Sequence, residues 1–123
     1  MKILAIDDQQ LVLLPLQKKL EDLGYKVKTS TDANESIGIY DRFKPDLVVV
    51  DINMPDMSGI EFIKYIRINK SSSTPIIVLS GNTSSDVIAE AFKFGINDYI
   101  KKPMDLNNIC ERIKRLNIFF QTY

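Results

Sequence analysis

The chain has 123 residues, with 16 basic and 16 acidic side chains, one Cys, no His and no Trp. That length fits one domain with its own core, and the zero formal net charge removes the gross electrostatic case for binding nucleic acid or an anionic membrane. A single Cys excludes an internal disulfide and a Cys-only metal cage, and the missing His excludes His metal ligands, His general bases and His-based triads.

Along the chain, short apolar runs ending in polar residues alternate with amphipathic stretches. Ile3-Leu4-Ala5-Ile6 is stopped by Asp7-Asp8. A helix follows with Leu13, Leu16, Leu20 and Leu23 on one face and Gly24 as its stop. Pro15 belongs in the first turn of that helix or kinks it. Tyr25 to Ser30 alternates apolar and polar residues and reads as a half-exposed strand. Asp32 with Glu35 forms a capping-box pattern ahead of a helix whose inner face is Ala33, Ile37 and Tyr40. Leu47-Val48-Val49-Val50, ended by Asp51, is continuous enough to be a strand buried on both faces.

Ser58 with Glu61 opens the next helix, through Phe62, Ile63 and Ile66. The polar run Asn69 to Thr74 is a loop. Pro75 to Ser80 is another buried strand, and Val87, Ile88, Ala91 and Phe92 mark a helix closed by Gly95. Asp98 to Pro103 is a short polar strand, and Asp105 caps a last helix with Leu106, Ile109, Cys110, Ile113 and Leu116 inside. Cys110 reads as a buried helix residue. The apolar tail Ile118, Phe119, Phe120 and Tyr123 reads equally as a packed last turn and as a dimer contact or linker. No stretch approaches the roughly 20 apolar residues of a membrane span, and the N-terminus is too short for a signal-peptide core. The cytoplasm is therefore the expected compartment.

Five strands and five helices in strict alternation predict an α/β fold, a doubly wound (βα)5 parallel sheet with helices on both faces. The apolar strands one, three and four belong at the centre and the polar strands two and five at the edges, which is the order 2-1-3-4-5 of the flavodoxin-like fold. Asp7, Asp8, Asp51, Ser80, Lys101 and Lys102 then all fall at carboxyl ends of strands, where open α/β sheets place their sites. Three carboxylates in one crevice repel, each pair by on the order of 4 kcal/mol at about 4 Å and an effective dielectric near 20. A lysine or a cation must offset this. All-oxygen ligands favour Mg²⁺, or Mn²⁺, over Zn²⁺. Such a centre suits phosphoryl chemistry.

Asp7-Asp8, the run Asp51-Ile52-Asn53-Met54-Pro55-Asp56-Met57-Ser58-Gly59, Ser80-Gly81 and Lys102-Pro103 together resemble the receiver domain of bacterial two-component response regulators. The resemblance covers essentially all of residues 1–123, as one receiver domain. It implies that Asp51 accepts a phosphoryl group from a partner's phosphohistidine, on a histidine kinase or a histidine phosphotransfer protein that docks near the first helix. It implies that Asp8 holds Mg²⁺ directly, Asp7 through water, and Asn53 through its backbone carbonyl. Ser80 and Lys102 meet the phosphoryl group, Tyr99 is the aromatic switch residue, and Pro103 follows a peptide bond that is often cis. Ser80 is the smaller allowed hydroxyl, and Gly81 replaces the more usual Ala. Asn53 and Asn82 occupy the positions that tune dephosphorylation. The signal leaves through the helix four–strand five–helix five face, where a homodimer is also open. The implied role is a switch that assists its own phosphorylation, not an enzyme, with no direct nucleic-acid or membrane contact and no output module in these residues.

Three other functions compete. A haloacid-dehalogenase-type phosphatase needs a second acid where Asn53 stands, and an amide cannot transfer the proton. A flavodoxin-like flavin binder needs an amide-donating loop where Asp7-Asp8-Gln9-Gln10 would repel phosphate. A pseudo-receiver interaction module would lack Asp51 or Lys102, and both are present.

Overall fold

The computed structural model describes residues 1–54, 58–81 and 84–122, the last five of these by backbone alone. The elements are β1 Lys2–Ile6, α1 Gln10–Asp22, β2 Lys26–Ser30, α2 Ala33–Phe43, β3 Leu47–Val50, α3 Gly59–Lys64, β4 Ile76–Ser80, α4 Ser85–Lys93, β5 Asp98–Lys101 and α5 Leu106–Thr122. A π-helical turn, Tyr65–Asn69, extends α3. The strands form one parallel sheet in the order β2-β1-β3-β4-β5. The expected doubly wound architecture is observed, with the polar strands at the edges.

Side-chain alternation along the central strands feeds two cores. Leu4, Ile6, Val48, Val50, Ile76 and Val78 pack with residues of α2, α3 and α4. Ile3, Ala5, Leu47, Val49, Ile77 and Leu79 pack with α1 and α5 on the other face. Because both faces are covered, these strands carry no polar residue until they reach the sheet edge. On α1, Leu13, Leu16 and Leu20 are fully buried, each contributing about 2 kcal/mol.

The helix ends follow the local signals. Asp32 caps α2 by accepting from the Asn34 N–H at 2.8 Å, one residue earlier than a capping box through Glu35 requires. Ser58 accepts from the Glu61 N–H at 3.3 Å, and Asp105 from the Asn107 N–H at 2.8 Å. Gly24 and Gly95 follow α1 and α4 with φ of 94° and 89°, the left-handed stop that glycine adopts most readily.

Several expectations need correction. Of the two places expected for Pro15, the first turn is not the one it takes: it is the sixth residue of α1, inside a helix that runs on to Asp22. Leu23 caps that helix and is 39% exposed, unlike the buried Leu13, Leu16 and Leu20. On α2 it is Ser36 that is fully buried, while Ile37 is only half-buried. On α4 only Ala91 is buried; Val87 and Ile88 are half-exposed and Phe92 is 49% exposed. The physical reason is common to these cases. Helical spacing says which residues share a stripe, but the neighbouring elements decide how far that stripe is covered. Tyr25 and Pro75 lie just outside their strands, and β5 ends at Lys101.

The amino-terminal edge of the sheet is closed by polar clamps. Arg67, in the π-helical turn, makes five hydrogen bonds: Nε and Nη2 to the Gly95 carbonyl, Nη1 to the Ser72 and Thr74 carbonyls, and Nη2 to Asn97 Oδ1. That is the full donor capacity of a guanidinium. Asn97 Oδ1 also accepts from the Ile76 N–H at 2.8 Å, which joins β4 to the α4–β5 turn. Beside it the hydroxyls of Tyr40, Ser72 and Thr74 lie within 3.2 Å of one another.

Candidate functional site

The register of the central strands assembles the opposite edge. Ile6 pairs with Val50, so Asp7 and Asp51 are the first residues beyond two neighbouring strands. Their main chains stay anchored there: the Asp51 N–H donates to the Ile6 carbonyl at 2.9 Å, and the Asp7 N–H to the Ser30 carbonyl at 3.1 Å. Asp7 is 2% exposed and Asp51 4%, while Asp8 faces solvent. Carboxylate oxygens of Asp7, Asp8 and Asp51 all lie within 4.8 Å of one another. Lys102 reaches across from the end of β5, with Nζ 2.6 Å from Asp7 Oδ2 and 3.1 Å from Asp51 Oδ2.

Three further contacts fix the acids. Asp7 Oδ1 accepts from the Gln9 N–H at 2.9 Å, and Asp51 Oδ1 from the Asn53 N–H at 3.1 Å. Asn53 Nδ2 lies 3.4 Å from the hydroxyl of the fully buried Ser80. The Lys102–Pro103 peptide is cis, as the resemblance implied. Of the expected site residues, Asp7, Asp8, Asp51, Asn53, Ser80 and Lys102 are therefore brought together. Tyr99 stands apart, half-buried against the core under α3 and α4. Val78 pairs with Tyr99 and Ser80 with Lys101, so Tyr99 and Ser80 project from the same face of the sheet. Asn82, Pro55, Asp56, Met57, Tyr123 and the side chains of Ile118, Phe119 and Phe120 lie outside the described residues.

The electrostatics leave this site incomplete. Burial pushes the Asp7 carboxyl above the ordinary aspartate value, against the Lys102 ammonium and the Gln9 N–H, which favour its charged form; the Asp51 charge adds to the rise. Burial pulls the Lys102 ammonium down, but the negative charges of Asp7 and Asp51 against it outweigh that and hold it above the ordinary lysine value. Three ionised carboxylates facing one ammonium leave two negative charges. The short Lys102–Asp7 contact is poorly angled, so the buried Asp7 Oδ2 is paired in charge but has no well-directed donor among the described residues. An under-satisfied buried carboxylate oxygen, two uncompensated charges and an all-oxygen donor set fit a hard divalent cation.

Beside the acids runs an apolar groove of about 500 Å³ between α1 and the loop after β5. Leu11, Val12, Pro15, Met104 and Leu106 line it, and Gln9 and Lys102 join it to the acid site. Leu11 is 86% exposed and Leu14, on the same helix, 57%.

Two contributors were not singled out from the sequence. The Gln9 N–H bond to Asp7 was legible as an aspartate turned onto the amide two residues on. Gly59 is visible in the sequence only as the last residue of a motif, and its steric role needs the packed structure. An ideal β carbon there would lie 2.2 Å from the Asp51 carbonyl oxygen.

A doubly wound (βα)5 sheet with an acid cluster and a lysine at its carboxyl edge defines the class. Residues 3–114 match the response regulator receiver domain, and the chain belongs to that family. It is 32% identical over 113 residues to the cell cycle transcriptional regulator CtrA of Caulobacter vibrioides, which covers 92% of this chain and 48% of the relative. It is 33% identical to the alkaline phosphatase synthesis transcriptional regulatory protein PhoP of Bacillus subtilis, over 94% of this chain and 48% of that one. The chain thus spans about half the length of these curated relatives. Among solved structures, the chemotaxis protein CheY4 of Vibrio cholerae superposes with a TM-score of 0.86 at 30% identity, covering 93% of this chain and 96% of that one. Among the described residues, no helix is long and apolar enough to cross a membrane.

Proposed function

We propose that residues 1–123 act as one phosphoacceptor receiver domain of a two-component system, with Asp51 as the acceptor. The observation that carries this reading is the placement of Asp51. It is buried at the end of β3, with one oxygen on Lys102 and carboxylates of Asp7 and Asp8 within 4.8 Å. The donor is a phosphohistidine on a histidine kinase or a histidine phosphotransfer unit, in another protein or outside these residues, because residues 1–123 contain no His. An Asp51 carboxylate oxygen attacks phosphorus in line. The new O–P bond forms as the partner's P–N bond breaks, and the electron pair leaves on the imidazole nitrogen.

Asp8, Asp51 and the Asn53 carbonyl would hold Mg²⁺, or Mn²⁺, with Asp7 acting through water. When bound, the ion supplies positive charge for the phosphoryl oxygens. Lys102 neutralises the same oxygens from the other side, and the Ser80 hydroxyl turns toward them. The phosphoryl group adds a charge of about −1.5 to −2. As Ser80 turns, Tyr99, on the same face of the sheet, occupies the space left. That repositions the face formed by α4, β5 and α5, which carries the signal onward and is the surface for a homodimer. Both arrangements pre-exist and phosphorylation shifts their populations. Asn53, with its side chain at Ser80, and Asn82 set the phosphoryl lifetime. The groove along α1 receives the phosphodonor protein, since it runs into the acid site. Such a partner places the chain in the cytoplasm.

The test is exposure to acetyl phosphate and Mg²⁺ with measurement of intact mass. Gain of one phosphoryl group, lost in Asp51→Asn, is expected. No gain at any Mg²⁺ concentration overturns the reading in favour of a pseudo-receiver.

A further inference from the structure

We infer that Gly59 is a positioning residue for the phosphoacceptor loop: its missing side chain sets where Asp51, Ile52 and Asn53 place their main-chain groups. The inference rests on the function proposed above and assigns one more residue to that site.

Gly59 is the first residue of α3 and is buried. Its N–H donates to the Ile52 carbonyl at 2.9 Å, so the amino terminus of α3 sits directly on the chain that leaves β3. A β carbon there would lie 2.2 Å from the Asp51 carbonyl oxygen, 2.7 Å from the Ile52 α carbon and 2.9 Å from the Asp51 carbonyl carbon. All three are backbone atoms, which cannot swing aside as the end of a long side chain can. The requirement is one of space and not of conformation, since Gly59 does not have the left-handed φ of Gly24 and Gly95. Gly24 is the converse case: φ is 94° and nothing lies within 4 Å of its added β carbon.

The relief of that overlap has few routes. Asp51 is tied to β1 through its N–H on the Ile6 carbonyl. The first turn of α3 is held by the buried side chains of Ile60, Phe62 and Ile63 and by the Ser58 cap. The overlap falls on the backbone of Asp51 and Ile52, and Asn53 follows them directly. That stretch carries the Asn53 N–H that bonds Asp51 Oδ1, the Asn53 carbonyl proposed to hold the metal ion, and the Asn53 amide at the Ser80 hydroxyl. A single methyl group at position 59 therefore displaces several contacts of the site at once, without touching a reacting atom.

Three proteins are compared: wild type, Gly59→Ala, and Gly24→Ala as a control that strains a glycine at the far edge of the sheet. The first readout is the Asn53 amide resonance in metal-free protein. It is expected to move in Gly59→Ala and to stay in Gly24→Ala. An unchanged Asn53 resonance in Gly59→Ala overturns the inference, whatever wild type does with Mg²⁺. The second readout is calorimetric titration with MgCl2. Gly59→Ala is expected to weaken binding by about 10–100-fold, the scale on which supporting contacts tune metal sites, while Gly24→Ala loses stability only. A Gly59→Ala protein that is less stable but binds Mg²⁺ like wild type overturns the inference. Absence of Mg²⁺ binding and phosphorylation in wild type counts instead against the proposed function. Should Gly59→Ala unfold in buffer, both readouts are taken on all three proteins in trimethylamine N-oxide, which favours the compact state; an unchanged Asn53 resonance or wild-type Mg²⁺ binding in Gly59→Ala there overturns the inference.

Discussion

At the amino-terminal edge of the sheet, Arg67 commits its whole donor capacity to three carbonyls and the Asn97 side chain, and three hydroxyls satisfy one another beside it. At the carboxyl edge, about five residues away along the same strands, Asp7 Oδ2 has no well-directed donor, and of three clustered carboxylates Lys102 contacts those of Asp7 and Asp51. Both edges hold buried polar groups, which are costly unless paired. Pairing within the chain makes the Arg67 clamp and the hydroxyl cluster a source of stability, although Asp41 Oδ1 beside them, like Asp7 Oδ2, lies near a lysine without a directed donor. The second edge is paired only in part and keeps capacity for something from outside. What separates the edges is the gathering of charge: one carboxylate faces Lys70 at the first, whereas three carboxylates lie within 4.8 Å of one another at the second.

Breaking the Arg67 clamp has the largest expected effect on stability. Arg67→Ala leaves the Ser72, Thr74 and Gly95 carbonyls without that donor and is expected to cost about 3 kcal/mol in urea unfolding. Its Mg²⁺ affinity is expected to match wild type. A parallel loss of affinity would show that the two edges are coupled. Next in size is the response to the ion. If the acid cluster holds Mg²⁺ as proposed, unfolding free energy is expected to rise by about 2.7 kcal/mol at a Mg²⁺ concentration about 100-fold above its dissociation constant. Arg67→Ala retains that increment and Asp51→Asn loses most of it.

Asp7→Asn sharpens the comparison, because removing a charge from the unsatisfied edge should help the fold. The Asp7 carboxyl titrates above its ordinary value of 3.8. As pH rises from there, the unfolded chain ionises first, and stability falls until the folded carboxyl has ionised too. At pH 7 wild type bears that cost and Asp7→Asn does not. The variant is expected to be more stable by on the order of 1 kcal/mol without Mg²⁺, with the difference vanishing below about pH 3.8, and to bind Mg²⁺ more weakly. Thermal unfolding across pH checks the sign. The raised Lys102 value acts in the opposite direction: its stabilisation is present at neutral pH and is lost as pH climbs through the folded lysine's titration. Smallest is Tyr40→Phe, which removes one member of the hydroxyl cluster and is expected to cost about 1 kcal/mol, with acetyl phosphate labelling unchanged.

By itself the sequence determined the order of elements, the central and edge strands, and the residues that end each strand in a polar group. Those depend on short-range alternation and on the rule that a strand covered on both faces stays apolar until it leaves the sheet. They suffice to bring Asp7, Asp51 and Lys102 to one edge, because a parallel sheet puts every carboxyl end on the same side. Only the tertiary structure decided what depends on distance between elements remote in sequence. Leu23 and Phe92 follow the helical period yet stay exposed, because no neighbour among the described residues covers them fully. Arg67, an unremarked residue between Ile66 and Ile68, becomes a clamp because the loops after α3 and α4 both bring carbonyls to it. Gly59 matters because α3 lands on the backbone of Asp51 and Ile52, an overlap of 2.2 Å for any β carbon. Periodicity acts along one element and can be read from a string of letters. Hydrogen-bond satisfaction and close backbone approach involve several elements at once and exist only when all of them are in place.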